Sequence, residues 1–159
     1  MKTEMGKFPL VVTGEKRKSA SDYDFDCEAV CIPLVSSTGH GNAALNRVHY
    51  EKGKFALANI ICALIVKEPE HTSTKYLYEL FMAMKDLYLV PLMQGSANVT
   101  LSMDKIASVK VPIPPLAEQE RIVNILDKLN KAKARQIAQL EELERLFPAM
   151  LDKAFKGEL

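Results

Sequence analysis

The chain has 159 residues, of which 48% are hydrophobic and 26% are charged, with 21 Lys and Arg against 20 Asp and Glu. This composition excludes wholesale disorder, and a net charge of +1 gives by itself no argument for binding nucleic acid or a membrane. Its three cysteines have no spacing typical of a metal site or a secreted disulfide scaffold, and no apolar run reaches the roughly 18 residues of a membrane span. We therefore expect a cytoplasmic protein with no membrane segment and no bound metal.

The first part of the chain, residues 1–115, predicts a mixed α+β domain. Cys27–Val35 is an apolar run with β-branched residues and predicts a strand. Lys54–Val66 predicts a buried strand, although periodicity alone does not exclude a helix there. Tyr76–Leu87 has apolar residues at helical spacing and predicts a helix, whereas Val99–Val111 predicts a short strand, a turn and a second strand.

The second part, residues 116–159, predicts one long helix. Three prolines within Val111–Leu116 separate it from the first part, because they cannot continue a helix or a central strand. Leu116–Phe147 then contains no Gly or Pro and is rich in strong helix formers, and Pro148 is expected to end or kink the helix and to begin a short C-terminal helix. Some 30 helical residues span roughly 45 Å, so a projecting helix is favoured over one folded onto the same chain's core.

This long helix carries an apolar stripe with one polar interruption, which is typical of a helix that pairs with another helix. Residues 121–135 carry five basic side chains against one acidic, a net charge of +4, and residues 136–152 carry four acidic against one basic, a net charge of −3. An antiparallel partner would set each basic half beside an acidic half, so the pattern predicts an antiparallel coiled-coil homodimer, with merely solvated faces as the alternative. The predicted interface residues are Ile122, Leu126, Leu129, Gln136, Leu140, Leu143 and Phe147.

Three patterns that resemble catalytic or nucleotide sites are rejected. Gly39–Ala44 matches G-x-G-x-x-A, but Leu45–Tyr50 and Glu51–Lys54 predict a strand and a turn where that motif needs a helix. Ser36, Ser37 and His40 lack a G-x-S-x-G elbow. Ile113–Leu116 lacks the leading polar acceptor and the closing aromatic residue of an amino-methyltransferase motif. We therefore expect no catalytic residues in this chain.

Two kinds of feature suit contact with DNA. Lys16, Arg17 and Lys18 form a local basic cluster, and together with Arg47 they are our candidates for phosphate contacts. Two polar loops carry side chains that can hydrogen-bond base edges, although polar loops are common on all protein surfaces. The candidates for base-edge or nearby contacts are Ser37, Thr38, His40, Asn42, Gln94, Ser96 and Asn98.

Several segments resemble one known family. Val111–Asn124 (VPIPPLAEQERIVN), the long helix after it and the ending Ala154–Leu159 (AFKGEL) resemble the conserved region of type I restriction-modification specificity subunits. Leu34–Asn42, Tyr50–Phe55 and Val90–Leu101 resemble a common type of target recognition domain in that family. The resemblance covers nearly the whole chain, and its most specific part is the Pro-Pro-Leu-x-Glu-Gln-x-x-Ile signature joined to a long helix.

The resemblance implies a non-catalytic subunit that recognises half of a bipartite site in double-stranded DNA. It divides the chain into a recognition domain, residues 1–115, and a spacer and dimerisation helix with a short C-terminal helix, residues 116–159. The expected partners are methylation (M) subunits with S-adenosylmethionine and restriction (R) subunits that use ATP and Mg, so this chain is expected to bind none of these cofactors itself.

A full specificity subunit has two such repeats whose long helices pack antiparallel, so a single repeat is expected to be a half-size subunit or a fragment. This chain is also expected to lack the stretch that usually precedes the domain in that family, because the chain opens near Gly6–Thr13. Two alternatives stay open: a dimerisation or assembly module without useful DNA affinity, and the recognition tail of a longer methyltransferase–nuclease.

Overall fold

The fold was obtained as a computed structural model, which describes residues 6–14, 16, 18–38 and 41–157. The elements are β1 Phe8–Val11, β2 Lys18–Ala20, β3 Phe25–Pro33, β4 His49–Leu57, β5 Ile61–Leu64, α1 Thr74–Tyr88, a 3₁₀ turn Val90–Leu92, α2 Met103–Ala107 and α3 Leu116–Lys156. A mixed sheet with helices and a long C-terminal helix confirms the α+β prediction. The chain divides into two compact units, the first ending at Glu120 and the second beginning at Arg121, a few residues beyond the start of α3.

The first unit is built on a five-stranded sheet in the order β2-β1-β4-β3-β5. β1 runs parallel to β4, and the other neighbours are antiparallel. The predicted strand at Cys27–Val35 is confirmed as β3, whose consecutive residues Ala29–Ile32 are all fully buried. A strand covered on both faces needs consecutive apolar residues, and Ala29–Ile32 provide them between Glu28 and Pro33.

The next predicted strand, Lys54–Val66, is extended but is not one strand. The end of β4 and the whole of β5 lie in it, separated by a turn at residues 58–60. The predicted turn at Glu51–Lys54 is wrong, because β4 runs through these residues and Gly53 pairs with Cys27. Gly53 adopts a φ of +83°, which glycine tolerates without steric cost. The glycine that suggested a turn in the sequence therefore lies inside a paired strand.

The helix predicted at Tyr76–Leu87 is confirmed as α1, which packs on β3 and β4. Ser73 caps it, since its side chain accepts a hydrogen bond from the backbone N–H of Tyr76. The helix buries Leu77 and Phe81, and the Tyr76 hydroxyl donates to the Pro112 carbonyl at 3.0 Å.

The strand–turn–strand prediction for Val99–Val111 is wrong. Thr100 forms only isolated bridges, and the segment then turns into α2. Ser102 caps this helix by accepting from the Lys105 N–H, and Asp104 lies in its first turn, where a negative charge is favourable. Ile106 is the one residue that α2 buries. The helix has only 5 residues, which is too short to show a helical period in the sequence.

The second unit is the greater part of α3. The predicted helix start at Leu116 is confirmed, but no separate C-terminal helix forms, because α3 continues through Pro148 to Lys156. Pro148 cannot donate to the carbonyl of Glu144, a loss of about 3 kcal/mol that the long helical segment before it can absorb. Among the described residues, no helix is both long and apolar enough to cross a membrane.

The residues predicted as a dimer interface lie along α3 and fall into two groups by burial. Ile122 and Leu126 are half-buried, and Gln136 is exposed. The exposed fractions of the large apolar members are 60% for Leu129, 57% for Leu140, 64% for Leu143 and 65% for Phe147. The second unit therefore presents an uncovered apolar stripe.

Candidate nucleic-acid interface

The two polar loops predicted from the sequence lie against each other in the first unit. The Ser36 N–H donates to the Val99 carbonyl at 2.9 Å, which joins the base of one loop to the base of the other. A Cβ on Gly41 would lie 3.2 Å from the Ser96 carbonyl oxygen, so the loops also touch near their tips. We call these residues, Ser36–Thr38 with Gly41 and Asn42 and Gln94–Asn98, the loop surface.

Hydroxyl groups hold the first loop in shape. The Ser36 Oγ donates to the Asn42 carbonyl at 2.6 Å, and the Thr38 hydroxyl donates to the same oxygen at 3.1 Å. The Ser37 Oγ accepts from the Asn46 N–H at 2.9 Å. Ser37 and Thr38 thus support the loop backbone, whereas the side chain of Asn42 is exposed.

A tight turn shapes the second loop. Gln94 and Thr100 exchange two backbone hydrogen bonds of 2.8 Å, which close the loop at its base. Gly95 has a φ of +133°, and a Cβ there would overlap the Asn98 carbonyl oxygen, so only glycine fits. Gln94, Ser96 and Asn98 are all exposed on this turn, as their proposed role requires.

The basic candidates lie on other segments of the same unit. Lys16 and Lys18 are exposed and line a shallow cavity of about 580 Å³ at the end of β1. Arg47 is half-buried and lines a different cavity. Two candidates, Arg17 and His40, fall outside the described residues.

The cavity that Arg47 lines has a volume of about 490 Å³, and we call it the recess. Its walls come from the end of β1, from residues 46–51 and from α1, which contributes Lys75 and Tyr78. Asn46 also lines it, so the recess borders the loop surface through the hydrogen bond between Asn46 and Ser37. Sequence reasoning missed Lys75, because a single lysine on an amphipathic helix carries no distinguishing pattern.

The ammonium group of Lys75 is held in place by its surroundings. Its Nζ lies 5.2 Å from the ring centroid of Tyr50 and 4.8 Å from that of Tyr78, within the range of cation–π attraction. The same Nζ is 3.2 Å from a carboxylate oxygen of Glu79, one helical turn further along α1. Lys75 therefore presents a fixed positive charge to the recess.

Tyr50 links the recess to an ion pair on the sheet. Its hydroxyl donates to Glu28 Oε1 at 2.9 Å, and the Lys52 Nζ is 2.7 Å from the same oxygen. The hydrogen bonds from Lys52 and then Tyr50 lower the pKa of Glu28. Burial, followed by the hydrogen bond to Glu28, raises the pKa of Tyr50 to about 12, so this phenol is neutral at physiological pH.

A buried amide fixes the beginning of α3 within the first unit. Gln119, the last residue of Pro-Pro-Leu-x-Glu-Gln, has 0% of its surface exposed. Its Nε2 donates to the carbonyls of His71 at 2.8 Å and Pro114 at 2.7 Å, and its Oε1 accepts from the Ser73 N–H at 2.9 Å. The most specific segment of the sequence resemblance therefore contains the residue that joins α3 to the loop before α1.

The three cysteines, Cys27, Cys31 and Cys62, are free thiols, and burial perturbs each of them. Burial raises the pKa of Cys27 and Cys62, and it raises that of Cys31 to about 12. A thiol with so high a pKa is a poor nucleophile near neutral pH. No three His, Cys, Asp or Glu side chains in the described part of the chain are grouped closely enough to hold a metal ion.

Comparison with known proteins gives one consistent family. The family described as "Type I restriction modification DNA specificity domain" matches residues 2–145. A type I restriction enzyme specificity subunit of Haemophilus influenzae is 28% identical over 96 residues, which cover 60% of this chain and 24% of that protein. The crystal structure of a type I restriction-modification system S subunit from M. genitalium superimposes with a TM-score of 0.63 at 15% identity. That match covers 96% of this chain and 39% of the S subunit, so this chain spans well under half of either relative.

Proposed function

The chain belongs to the type I restriction modification DNA specificity domain family, and on that premise we propose that it recognises one half of a bipartite sequence in double-stranded DNA. The observation that carries this proposal is the loop surface, in which two loops distant in sequence are joined by backbone hydrogen bonds and expose amide side chains together. Such a surface suits base recognition, because Asn and Gln can form paired hydrogen bonds with the edge of adenine in the major groove.

Exposed lysines elsewhere in the first unit suit the second requirement of DNA binding. Lys16 is exposed between β1 and β2, and Lys18 is exposed at the start of β2. Contacts from lysine to phosphate fix the register of a protein on the duplex, but they carry no sequence information. We therefore assign affinity to these cations and discrimination to Asn42, Gln94 and Asn98.

We further infer that the chain directs chemistry carried out by other subunits in the cytoplasm. Methylation subunits would bring S-adenosylmethionine, and restriction subunits would bring ATP and Mg. The family supports this role, and Ile113–Leu116 offers no polar acceptor for a target amino group. Purified chain given DNA and S-adenosylmethionine should transfer no methyl group. Methyltransferase activity that copurifies with the chain would contradict its assignment as a non-catalytic subunit.

The test of recognition compares two kinds of variant in a complex with methylation subunits. Asn42→Ala and Asn98→Ala should change the preference between DNA sequences, because a lost base contact is worth about 1–3 kcal/mol at one position. Lys16→Ala and Lys18→Ala should instead weaken binding to all sequences about equally. Asn59→Ala is the matched control, because Asn59 is exposed in the turn between β4 and β5 and lies outside the loop surface.

Methylome sequencing of a host with and without the chain identifies the target, and binding to that target and to shuffled DNA gives the preference. If both amide variants discriminate as the unaltered chain does, the loop surface does not read the sequence. If the unaltered complex has no preferred sequence at all, recognition itself is refuted.

We also propose that α3 pairs with a second copy of itself in antiparallel orientation. Its exposed apolar stripe needs a cover, and exposed stripes of this kind favour association. Antiparallel pairing would place the +4 segment of one copy beside the −3 segment of the other, so charge would select the orientation and leucines would provide the affinity. Two identical recognition domains would then read two inverted copies of one half-site.

Sedimentation at micromolar concentration tests this pairing. Leu129→Asp with Leu140→Asp should convert a dimer to a monomer, because it puts two charges into the apolar stripe. Ala134→Asp with Ala138→Asp is the matched control, since these exposed residues lie on the opposite face of the same helix. A monomeric unaltered chain, or a dimer that survives the leucine substitutions, would refute the homodimer.

A further inference from the structure

We propose that the recess holds a phosphate of the DNA backbone together with its deoxyribose, next to the bases that the loop surface contacts. This inference rests on the proposed function and adds to it a site on α1, with Lys75 as the phosphate-binding residue. A DNA duplex and a free nucleotide both carry such a phosphate, and titration with each distinguishes the two sources.

The recess has the loop surface on one side and the shallow basic cavity on the other. The Asn46 N–H donates to the Ser37 hydroxyl in the loop surface, and Asn46 itself lines the recess. On its other side the recess shares Gly14 with the shallow cavity that Lys16 and Lys18 line. The recess therefore lies between the residues assigned to bases and the lysines assigned to phosphates, where a continuous DNA strand would have to pass.

Basic side chains line both cavities. The recess and the adjoining shallow cavity together present four cations, Lys16, Lys18, Arg47 and Lys75. Two carboxylates oppose them: Glu51, which also lines the recess, and Glu79, which pairs with Lys75. Arg47 and Lys75 are balanced by these two carboxylates, so among the described residues the net positive charge comes from Lys16 and Lys18 at the adjoining cavity, beside which a backbone phosphate is favoured.

The recess is preorganised by its contacts to Lys75 and is large enough for a nucleotide backbone unit. Lys75 is held against Glu79 and between the rings of Tyr50 and Tyr78, so it loses less side-chain freedom on binding than a free surface lysine would. The volume of about 490 Å³ exceeds what one phosphate group fills. Apolar side chains of Leu10 and Met82 complete the wall and suit contact with a sugar.

The first test substitutes the lysine in the complex with methylation subunits. Lys75→Met keeps the aliphatic stem beside the two rings and removes the charge. It should reduce the slope of log affinity against log salt by about 0.9, a loss of about fivefold near ~0.15 M salt, for specific and random DNA alike. Lys85→Met is the matched control, because Lys85 lies on the same helix and pairs with Asp86 but does not line the recess.

The second test leaves Lys75 and Glu79 untouched, in case the first variant disturbs the fold. Gly14 lines the recess, and a Cβ added there meets nothing within 4 Å. Gly14→Glu should fold normally and weaken binding to all DNA by placing a carboxylate beside the phosphate. Gly14→Ala, which adds the Cβ without the charge, should bind as the unaltered chain does.

A salt slope that is unchanged in Lys75→Met, together with equal binding by Gly14→Glu and Gly14→Ala, overturns the proposal. Sequence discrimination that still depends on Asn42 and Asn98 in the same assay would leave the proposed function intact. Calorimetric titration with thymidine monophosphate and with inorganic phosphate distinguishes the sources. Binding of either that requires Lys75, while DNA binding does not, would make the recess a site for a free nucleotide or phosphate and refute a DNA contact.

Discussion

Replacing Gln119 by alanine removes the buried amide that joins the start of α3 to the loop before α1. The substitution breaks three hydrogen bonds and leaves the carbonyls of His71 and Pro114 and the N–H of Ser73 without this partner. A typical net hydrogen bond contributes about 1 kcal/mol, and an unsatisfied buried group costs about 1–3 kcal/mol. We therefore expect Gln119→Ala to lower the free energy of unfolding of the first unit by about 3 kcal/mol.

Tyrosine fluorescence isolates that unit during urea denaturation. All five tyrosines lie before residue 120, and the chain has no tryptophan, so the signal reports the first unit alone. Gln139→Ala is the matched control, because Gln139 is exposed on the same helix and should change stability by less than about 0.5 kcal/mol.

Gln119→Glu separates lost hydrogen bonds from lost packing. Glutamate keeps the side-chain length and can still accept from Ser73, but its carboxylate would face two carbonyl oxygens. It should therefore destabilise the unit at least as much as alanine does at neutral pH, and part of the loss should be recovered in acid as the carboxylate is protonated. Midpoints for Gln119→Ala and Gln139→Ala that agree within error would refute the role of the buried amide.

Three further predictions follow from the geometry of the first unit. Gly95→Ala should destabilise the chain by more than about 1 kcal/mol in thermal denaturation, because of its positive φ and its contact with Asn98, whereas Gly14→Ala should be nearly neutral. In the native protein Cys31 should have about a thousandfold less thiolate than a thiol at its ordinary pKa of 9.0, so a thiol reagent at mild pH should modify it rapidly only after unfolding. The folded pKa of Tyr50 is about 12 against 10.0 in the unfolded chain, so its contribution to stability is complete below pH 10 and is lost as the pH rises towards 12; Tyr50→Phe should flatten that part of the stability curve.

Elements with a strong local signal could be predicted from the sequence. The helical spacing of Tyr76–Leu87 and the apolar, β-branched run within Cys27–Val35 both result from burial of the element, which the sequence pattern records directly. α2 was missed because it buries only Ile106 and depends on the cap at Ser102. The turn at residues 58–60 was missed because Lys54–Val66 reads as one apolar run on both sides of it.

The candidate site could also be predicted only in part from the sequence. The polar loops could be located because Ser, Asn, Gln and Gly mark a loop wherever they cluster. Their meeting could not be predicted, since it depends on Ser36 bonding to Val99, more than 60 positions away. Lys75 and Gln119 were missed for a related reason: each is defined by tertiary neighbours, the two tyrosine rings in one case and the backbone at His71 and Ser73 in the other.

In the loop surface, the residue that maintains the loop's shape differs from the residue assigned to base contacts, and the two roles can be measured separately. Ser36 supports the first loop through its bonds to Asn42 and Ala44, whereas the Asn42 side chain is exposed and its carbonyl alone takes part in that support. Ser36→Ala should therefore reduce affinity for every sequence, because the loop loses its internal hydrogen bonds and must be ordered on binding. Asn42→Ala should leave the melting temperature nearly unchanged and alter only the preferred sequence.

Binding to the target and to shuffled DNA, measured beside thermal denaturation, distinguishes the two effects. If Ser36→Ala changes preference while keeping affinity, or if Asn42→Ala lowers the melting temperature by several degrees, the division is wrong. If these two roles are separate, the base preference of this fold can change by exchange of the exposed side chains alone, because no hydrogen bond described within the two loops depends on the side-chain amides of Asn42, Gln94 or Asn98.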